Sequence, residues 1–158
     1  MIFEPDDCSL MNMALEEAKK AAGCGEVPVG AVLVIGGRIF TGHNRVITDS
    51  DPTAHAEIAA IRSAAREVGN YRLPGSCLYV TLEPCIMCAG AIVQARVERL
   101  VYGARDPRYG AVESMVKIFD LDLNHKPVVH SGILAEQAGE LLTQFFEARR
   151  KGEVPKWS

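Results

Sequence analysis

The chain has 158 residues, 48% of them hydrophobic, with 17 Lys and Arg against 20 Asp and Glu and a formal net charge of −3. That length and apolar share suit one domain with a full core over residues 1–158, and the slight acid excess excludes the strongly basic balance of a dedicated nucleic-acid binder, so any such surface is local. No apolar run approaches the roughly 20 residues of a membrane span, and the opening MIFEPDDCSL has acids where a secretory leader carries Lys or Arg, so the expected location is the cytoplasm.

The first predicted element is a helix from Asp7 to Ala22, with Leu10, Met13, Ala14, Glu17, Ala18 and Ala21 at helical intervals, Asp6 or Asp7 as cap and Gly23 as stop. VGAVLVI, the pair Gly36-Gly37 and RIFTGHN then read as two strands joined by a tight hairpin, because adjacent glycines accept positive φ. After the loop NRVITDSDP comes AHAEIAAIRSAAREVG, an alanine-rich helix ended by Gly69. CLYVTL is a strand, PCIMCAGAIVQAR a third helix with Pro84 in its first turn, RLVYGA a strand and VVH a short fifth one. LAEQAGELLTQFFEARR closes the chain as an amphipathic helix. Strands alternating with helices predict a three-layer α/β/α sandwich around a central mixed five-stranded sheet that opens with an antiparallel hairpin.

Five cysteines make an odd count in a chain of this size without export signals, so a disulfide framework is not expected. Cys85 and Cys88 stand three apart at the start of a helix, on one face, where the helix dipole favours thiolate. Alone the pair is equally a redox motif, half of a structural zinc site or two buried thiols. A second C-x-x-C is absent, which removes the four-cysteine ribbon.

The missing partner is sought in TAHAEI, about 30 positions upstream, where His55 and Glu57 open the second helix. Two steps inside a helix turn a side chain by about 200°, so these two meet at one point only off the helix end. If both helices aim their N-termini at one spot, His55, Cys85 and Cys88 supply three ligands and leave a fourth position for water, the arrangement of catalytic zinc. Two thiolates cancel the charge of Zn2+ and weaken its acidifying effect on that water, so a base is needed, and Glu57 stands beside it to take the proton and later deliver it. Each part has a plainer reading: a first-turn Glu commonly serves the helix dipole, and His43, His125 and His130 read as ordinary hydrogen-bonded residues.

H-x-E followed by P-C-x-x-C is the known motif of zinc nucleobase deaminases. The sequence resembles the cytidine/deoxycytidylate deaminase superfamily and, within it, the bacterial tRNA-specific adenosine deaminases. The matching runs are EVPVGAVLV (26–34), DPTAHAEI (51–58), NYRL (70–73), LYVTLEPCIMCAGA (78–91), VYGARD (101–106), NH (124–125) and FFEARR (145–150). The zinc motif specifies only the superfamily; the flanking runs carry the narrower likeness. The resemblance implies a cytidine deaminase-like fold and hydrolysis of adenosine to inosine at the wobble position of a tRNA anticodon stem-loop. It also implies a homodimer with one zinc per subunit and no membrane association. It assigns His55, Cys85 and Cys88 to zinc and Glu57 to proton transfer, sets Asn44 against the base, and places Asp106 in the ARD segment beside the neighbouring nucleotides. By residue type alone Asn44 is equally a turn-former. Arg149, Arg150, Lys151 and Lys156 form a C-terminal basic cluster that the resemblance directs to tRNA, and Arg96, Arg99, Arg105 and Arg108 offer a second patch; the plainer reading of both is a solvated face. The helix after Cys88 begins with Ala89, Gly90 and Ala91, small enough for a second subunit or for the chain's own sheet. Glu113 departs from the family pattern, which often has a small residue there, and the basic tail is short. The rival readings are a deaminase of free bases or small nucleosides and, from another class, a non-catalytic zinc-stabilised RNA-binding subunit, against which Glu57 speaks.

Overall fold

The structure, a computed structural model, describes residues 6–154. Asp6 is extended (φ −75, ψ 172) and its carboxylate accepts the Ser9 N–H at 2.7 Å, which caps α1 (Asp7–Gly23). The buried face of α1 is Leu10, Met11, Ala14, Leu15, Glu17, Ala18 and Ala21; of the positions read from the sequence Met13 is instead exposed, and Met11 and Leu15 take its place in the core. Next come β1 (Gly30–Ile35) and β2 (Arg38–His43), paired antiparallel from Ile35↔Arg38 to Gly30↔His43. Their turn places Gly36 at φ 55 and Gly37 at φ 74, backbone that a β-carbon would strain.

The rest alternates: α2 (Ala56–Val68), β3 (Cys77–Leu82), α3 (Ile86–Gln94), β4 (Arg99–Ala104), β5 (Val128–Ser131) and α4 (Ala135–Arg150). The sheet order is β2-β1-β3-β4-β5, with β1 antiparallel to β2 and β3, and β3, β4 and β5 parallel. This is the mixed five-stranded sheet the sequence predicts.

Alternation along the central strands sorts the layers. Ala31, Leu33, Leu78, Val80, Leu100 and Tyr102 join Ala56, Ala60 and Ala64 of α2 and Ile92 of α3 on one face. Val32, Tyr79 and Val101 join Leu10, Met11 and Ala14 of α1 on the other, where α4 also packs on β4 and α1. Each fully buried Leu or Ile there contributes about 1.5–3 kcal/mol relative to exposure. Two close approaches fix the helices. A β-carbon on Gly30 would run into the backbone of Ala14 and Ala18, and one on Gly42 into the backbone of Ala56 and Ala60.

The second helix starts at Ala56, with His55 as its cap, and not at Ala54, and the third helix is shorter than the sequence reading at both ends. The third helix starts at Ile86, not Pro84, because Cys85 is still extended (φ −77, ψ 177) as the chain turns out of β3. It ends at Gln94 because Arg96 takes a left-handed φ of 58. A short 3-10 helix at Ile118–Asp120 sits in a segment whose sequence has no clear period.

Candidate metal centre and cavity

Strand directions bring four chain segments to one edge of the sheet. β3 and β4 are parallel, so Glu83-Pro84-Cys85 and Arg105-Asp106 leave the sheet side by side. β1 runs against β3, so the residues before it, and Asn44 after β2, arrive at the same edge. The carboxyl ends of parallel strands are the common place for α/β binding crevices. α2 and α3 both begin here, with His55 and Cys85 as their N-caps, and neither side chain makes a capping hydrogen bond.

Both side chains turn instead to a common point. His55 Nδ1 lies 3.6 Å from Cys85 Sγ and 3.5 Å from Cys88 Sγ, and all three ligand atoms fall within 4.8 Å of one another. A tetrahedral zinc with bonds of about 2.0–2.1 Å to nitrogen and 2.3 Å to sulfur has N···S edges of about 3.6 Å, so the donor set fits that ion. Among the described residues no other group of three or more His, Cys, Asp or Glu side chains is placed to hold a metal.

The two sulfurs are shifted in opposite directions. Cys88 hydrogen-bonds Cys85 and, with help from the His55 ring and against burial, holds the Cys85 thiol down at about 4. The Cys88 thiol moves the other way, pushed up by that same bond to Cys85 and by burial. Two adjacent sulfurs thus do not both ionise on their own; a divalent ion removes the conflict. Glu57, 3% exposed, has its carboxyl raised by burial, opposed by its own backbone N–H and by His55. A raised carboxyl suits a group that must both accept and release a proton.

The centre opens into a cavity of about 1000 Å3, with His55, Glu57 and Cys85 at its floor and Ile86 also lining it. Asn44, Asp106 and Arg149 line it; Arg150 does not. The Asn44 Oδ1 accepts the Ala56 N–H at 2.9 Å and Nδ2 donates to the Val27 carbonyl at 3.2 Å, so this side chain does the capping of α2 that His55 leaves undone. Asp106 Oδ1 accepts the N–H groups of Arg108 and Tyr109, each at 3.1 Å. Arg96, Arg99, Arg105 and Arg108 do not form one patch. Arg99 opens β4 and is bound to Asp7 at 2.6 Å, whereas Arg105 and Arg108 line the cavity beyond the strand's other end. Lys156 lies outside the described residues. A smaller cleft of about 430 Å3, with Arg45, Asp51 and Arg62 on its walls, contains none of the metal-ligating residues.

Residues 4–104 match the model of the cytidine and deoxycytidylate deaminase zinc-binding region. The chain belongs to the cytidine and deoxycytidylate deaminase family. Zinc is its cofactor. The chain is 53% identical to the tRNA-specific adenosine deaminase of Haemophilus influenzae, over 92% of its own length and 86% of that protein's. It superposes with a TM-score of 0.83, at 51% identity over 85% of this chain and 99% of the other, on a structure from work on A-to-I editing by tRNA:A34 deaminases at the wobble position. The guanine deaminase of Nitrosomonas europaea shares the fold at TM-score 0.73 and 25% identity, over 91% and 86% of the two chains.

Two residues of this deaminase escaped the sequence reading. Glu26 and Glu83 are 1% and 2% exposed, yet neither ion-pairs with a basic side chain among the described residues. Glu26 accepts the N–H groups of Ile47 (3.1 Å) and Thr48 (2.7 Å) and the Thr48 hydroxyl (2.6 Å). Glu83 does the same for the segment after β4. The one available signal was an acid directly abutting an apolar run, as in LYVTLEP.

Proposed function

We propose that this chain acts as one zinc-dependent domain that hydrolyses adenosine to inosine at the wobble position of a tRNA anticodon. The observation that carries this reading is the close likeness, over nearly the whole chain, to tRNA-specific adenosine deaminases, seen together with a cavity far larger than one base needs.

His55, Cys85 and Cys88 would hold the ion. When bound, zinc acidifies water and so supplies the nucleophile for C6 of adenine. Glu57 accepts the proton that this water loses and passes it to the ring nitrogen, and then carries the remaining proton of the new C6 hydroxyl to the departing amine. The bond from oxygen to C6 forms, the bond from C6 to the exocyclic nitrogen breaks, and ammonia leaves. An adenine in an anticodon loop must be unstacked to reach this floor. Asn44 and Asp106 border the base and its neighbours, and Arg105, Arg108 and Arg149 face the backbone from the cavity walls. Arg108 also lies over the Tyr109 ring at 5.2 Å, and this exposed aromatic offers a face to an unstacked base. Arg150, exposed and away from the cavity, serves the outer reach of the same RNA.

The protein would work as a homodimer. Ile86 is 59% exposed at the cavity mouth, and a β-carbon on Gly90 of the same helix would meet nothing within 4 Å, a surface open to a second copy. Among the described residues no helix is long and apolar enough to cross a membrane; a tRNA substrate supports a cytoplasmic location. The deciding experiment incubates the zinc-loaded protein with tRNA and, separately, with free guanine, cytosine and adenine. Inosine at the anticodon of tRNA is the expected product, and turnover of free bases without it would overturn the reading.

A further inference from the structure

Glu83 is an unusual carboxylate. It directly follows the strand that leads to Cys85, it is 2% exposed, and among the described residues it ion-pairs with no basic side chain. Five donors converge on it. Oε1 accepts the Asp106 N–H at 3.1 Å and the Ser114 hydroxyl; Oε2 accepts the N–H groups of Val112 (3.1 Å), Glu113 (2.8 Å) and Ser114 (3.0 Å). A carboxylate offers about four lone-pair sites, so this one is saturated. Its charge is held by backbone dipoles in a concave arrangement that otherwise binds external anions. Gly110 completes the fit: a β-carbon there would press directly on the carboxylate.

The donors all belong to residues 106–114, the segment that directly follows Arg105 and carries Asp106, Arg108 and Tyr109 into the cavity. Without Glu83 four backbone N–H groups lose their acceptor, and the segment has no regular secondary structure to replace it. The same segment holds the Arg105–Glu113 ion pair at 3.1 Å, so the wall folded on Glu83 also carries the acidic partner of Arg105.

We infer that Glu83 is a positioning residue for substrate specificity: the 105–114 wall of the cavity is folded around its carboxylate, which thereby sets where Arg105, Asp106 and Tyr109 meet the nucleotides flanking the target base. The nature of those contacts rests on the proposed tRNA reading; the folding of the wall does not. Charge and shape are both required, since Glu83→Gln keeps the volume but replaces one acceptor oxygen by an NH2 that faces N–H donors.

Two arms test this on the zinc-loaded protein. In the first, without substrate, amide hydrogen exchange of Asp106, Val112, Glu113 and Ser114 is compared between wild type and Glu83→Gln. Exchange at these four should rise by about tenfold or more while α2 and β3 amides and zinc content stay as in wild type. In the second, steady-state kinetics on an anticodon stem-loop RNA should show KM raised by about tenfold with kcat changed much less, the mark of lost binding that is uniform along the reaction. Gly110→Ala, which leaves Glu83 chemically intact, should reproduce both effects by displacing the carboxylate. Unchanged exchange at the four amides in both variants would overturn the inference, as would a fall in kcat and zinc content together at constant KM. Should Glu83→Gln not fold, Gly110→Ala decides alone, and its silence in both arms would show that the carboxylate is not pinned. If the wild type itself leaves the RNA unedited, the tRNA reading fails while the exchange arm still decides the role of Glu83.

Discussion

Glu57 and Cys88 are both buried at the same helix-end junction, and the chemistry separates their duties. Glu57 has only local partners among the described residues, its own backbone N–H and Cys88, whereas Cys88, 0% exposed, completes the ligand set. Glu57→Gln should therefore keep its zinc, measured by metal analysis, while kcat falls by roughly 100- to 10,000-fold, the range for a lost general acid-base group. Cys88→Ala should lose metal and thermal stability together, because ion binding and folding are linked. Retention of most turnover by Glu57→Gln would remove it from proton transfer.

At the level of elements, α1 is tied to the sheet by more than its apolar face. The Arg99 guanidinium at the start of β4 binds Asp7 through Nη2 at 2.6 Å and Nη1 at 2.8 Å, and the Tyr79 hydroxyl of β3 donates to Asp7 at 2.7 Å. Arg99 first, and Tyr79 with it, hold the Asp7 carboxyl at about 2, down from 3.8. A carboxyl lowered on folding stabilises above its unfolded value and loses that contribution as pH falls through the folded one. The window is thus from about pH 4 down to about pH 2. Because both side chains are about one-third exposed, solvent screening limits the contribution to about 1 kcal/mol. Asp7→Asn should cost that much at neutral pH in denaturant unfolding and should make stability less steep across the acid window. An unchanged acid profile would show that the pair contributes nothing net.

Over the whole molecule, a net charge of −3 coexists with a cavity bordered by Arg105, Arg108 and Arg149. Attraction to RNA is therefore local, and three phosphate contacts at most are available from these walls. For single-stranded RNA each contact contributes about −0.7 to the slope of log affinity against log salt, so a slope near −2 is expected, falling by about 0.7 in Arg149→Ala. Affinity indifferent to salt would move the RNA off this face.

The helical spacing of α1, the glycine pair of the first hairpin and the apolar run of β3 are local properties, and each was legible because backbone preference and burial act within a few residues of one another. The ligand types were legible too, since only His and Cys side chains in H-x-E and P-C-x-x-C offer soft donors beside an acid. What the chain alone could not decide was convergence. His55 reaches the two sulfurs because α2 and α3 start at the same sheet edge, and that follows from β1 running against β3 while β3 and β4 run together. The separation of Arg99 from Arg105 by a strand, the absence of Arg150 from the cavity, and the burial of Glu26 and Glu83 have the same origin. An acid next to an apolar run is solvated or buried according to which backbone amides the rest of the chain folds over it, a matter of contacts distant in sequence that no local pattern records.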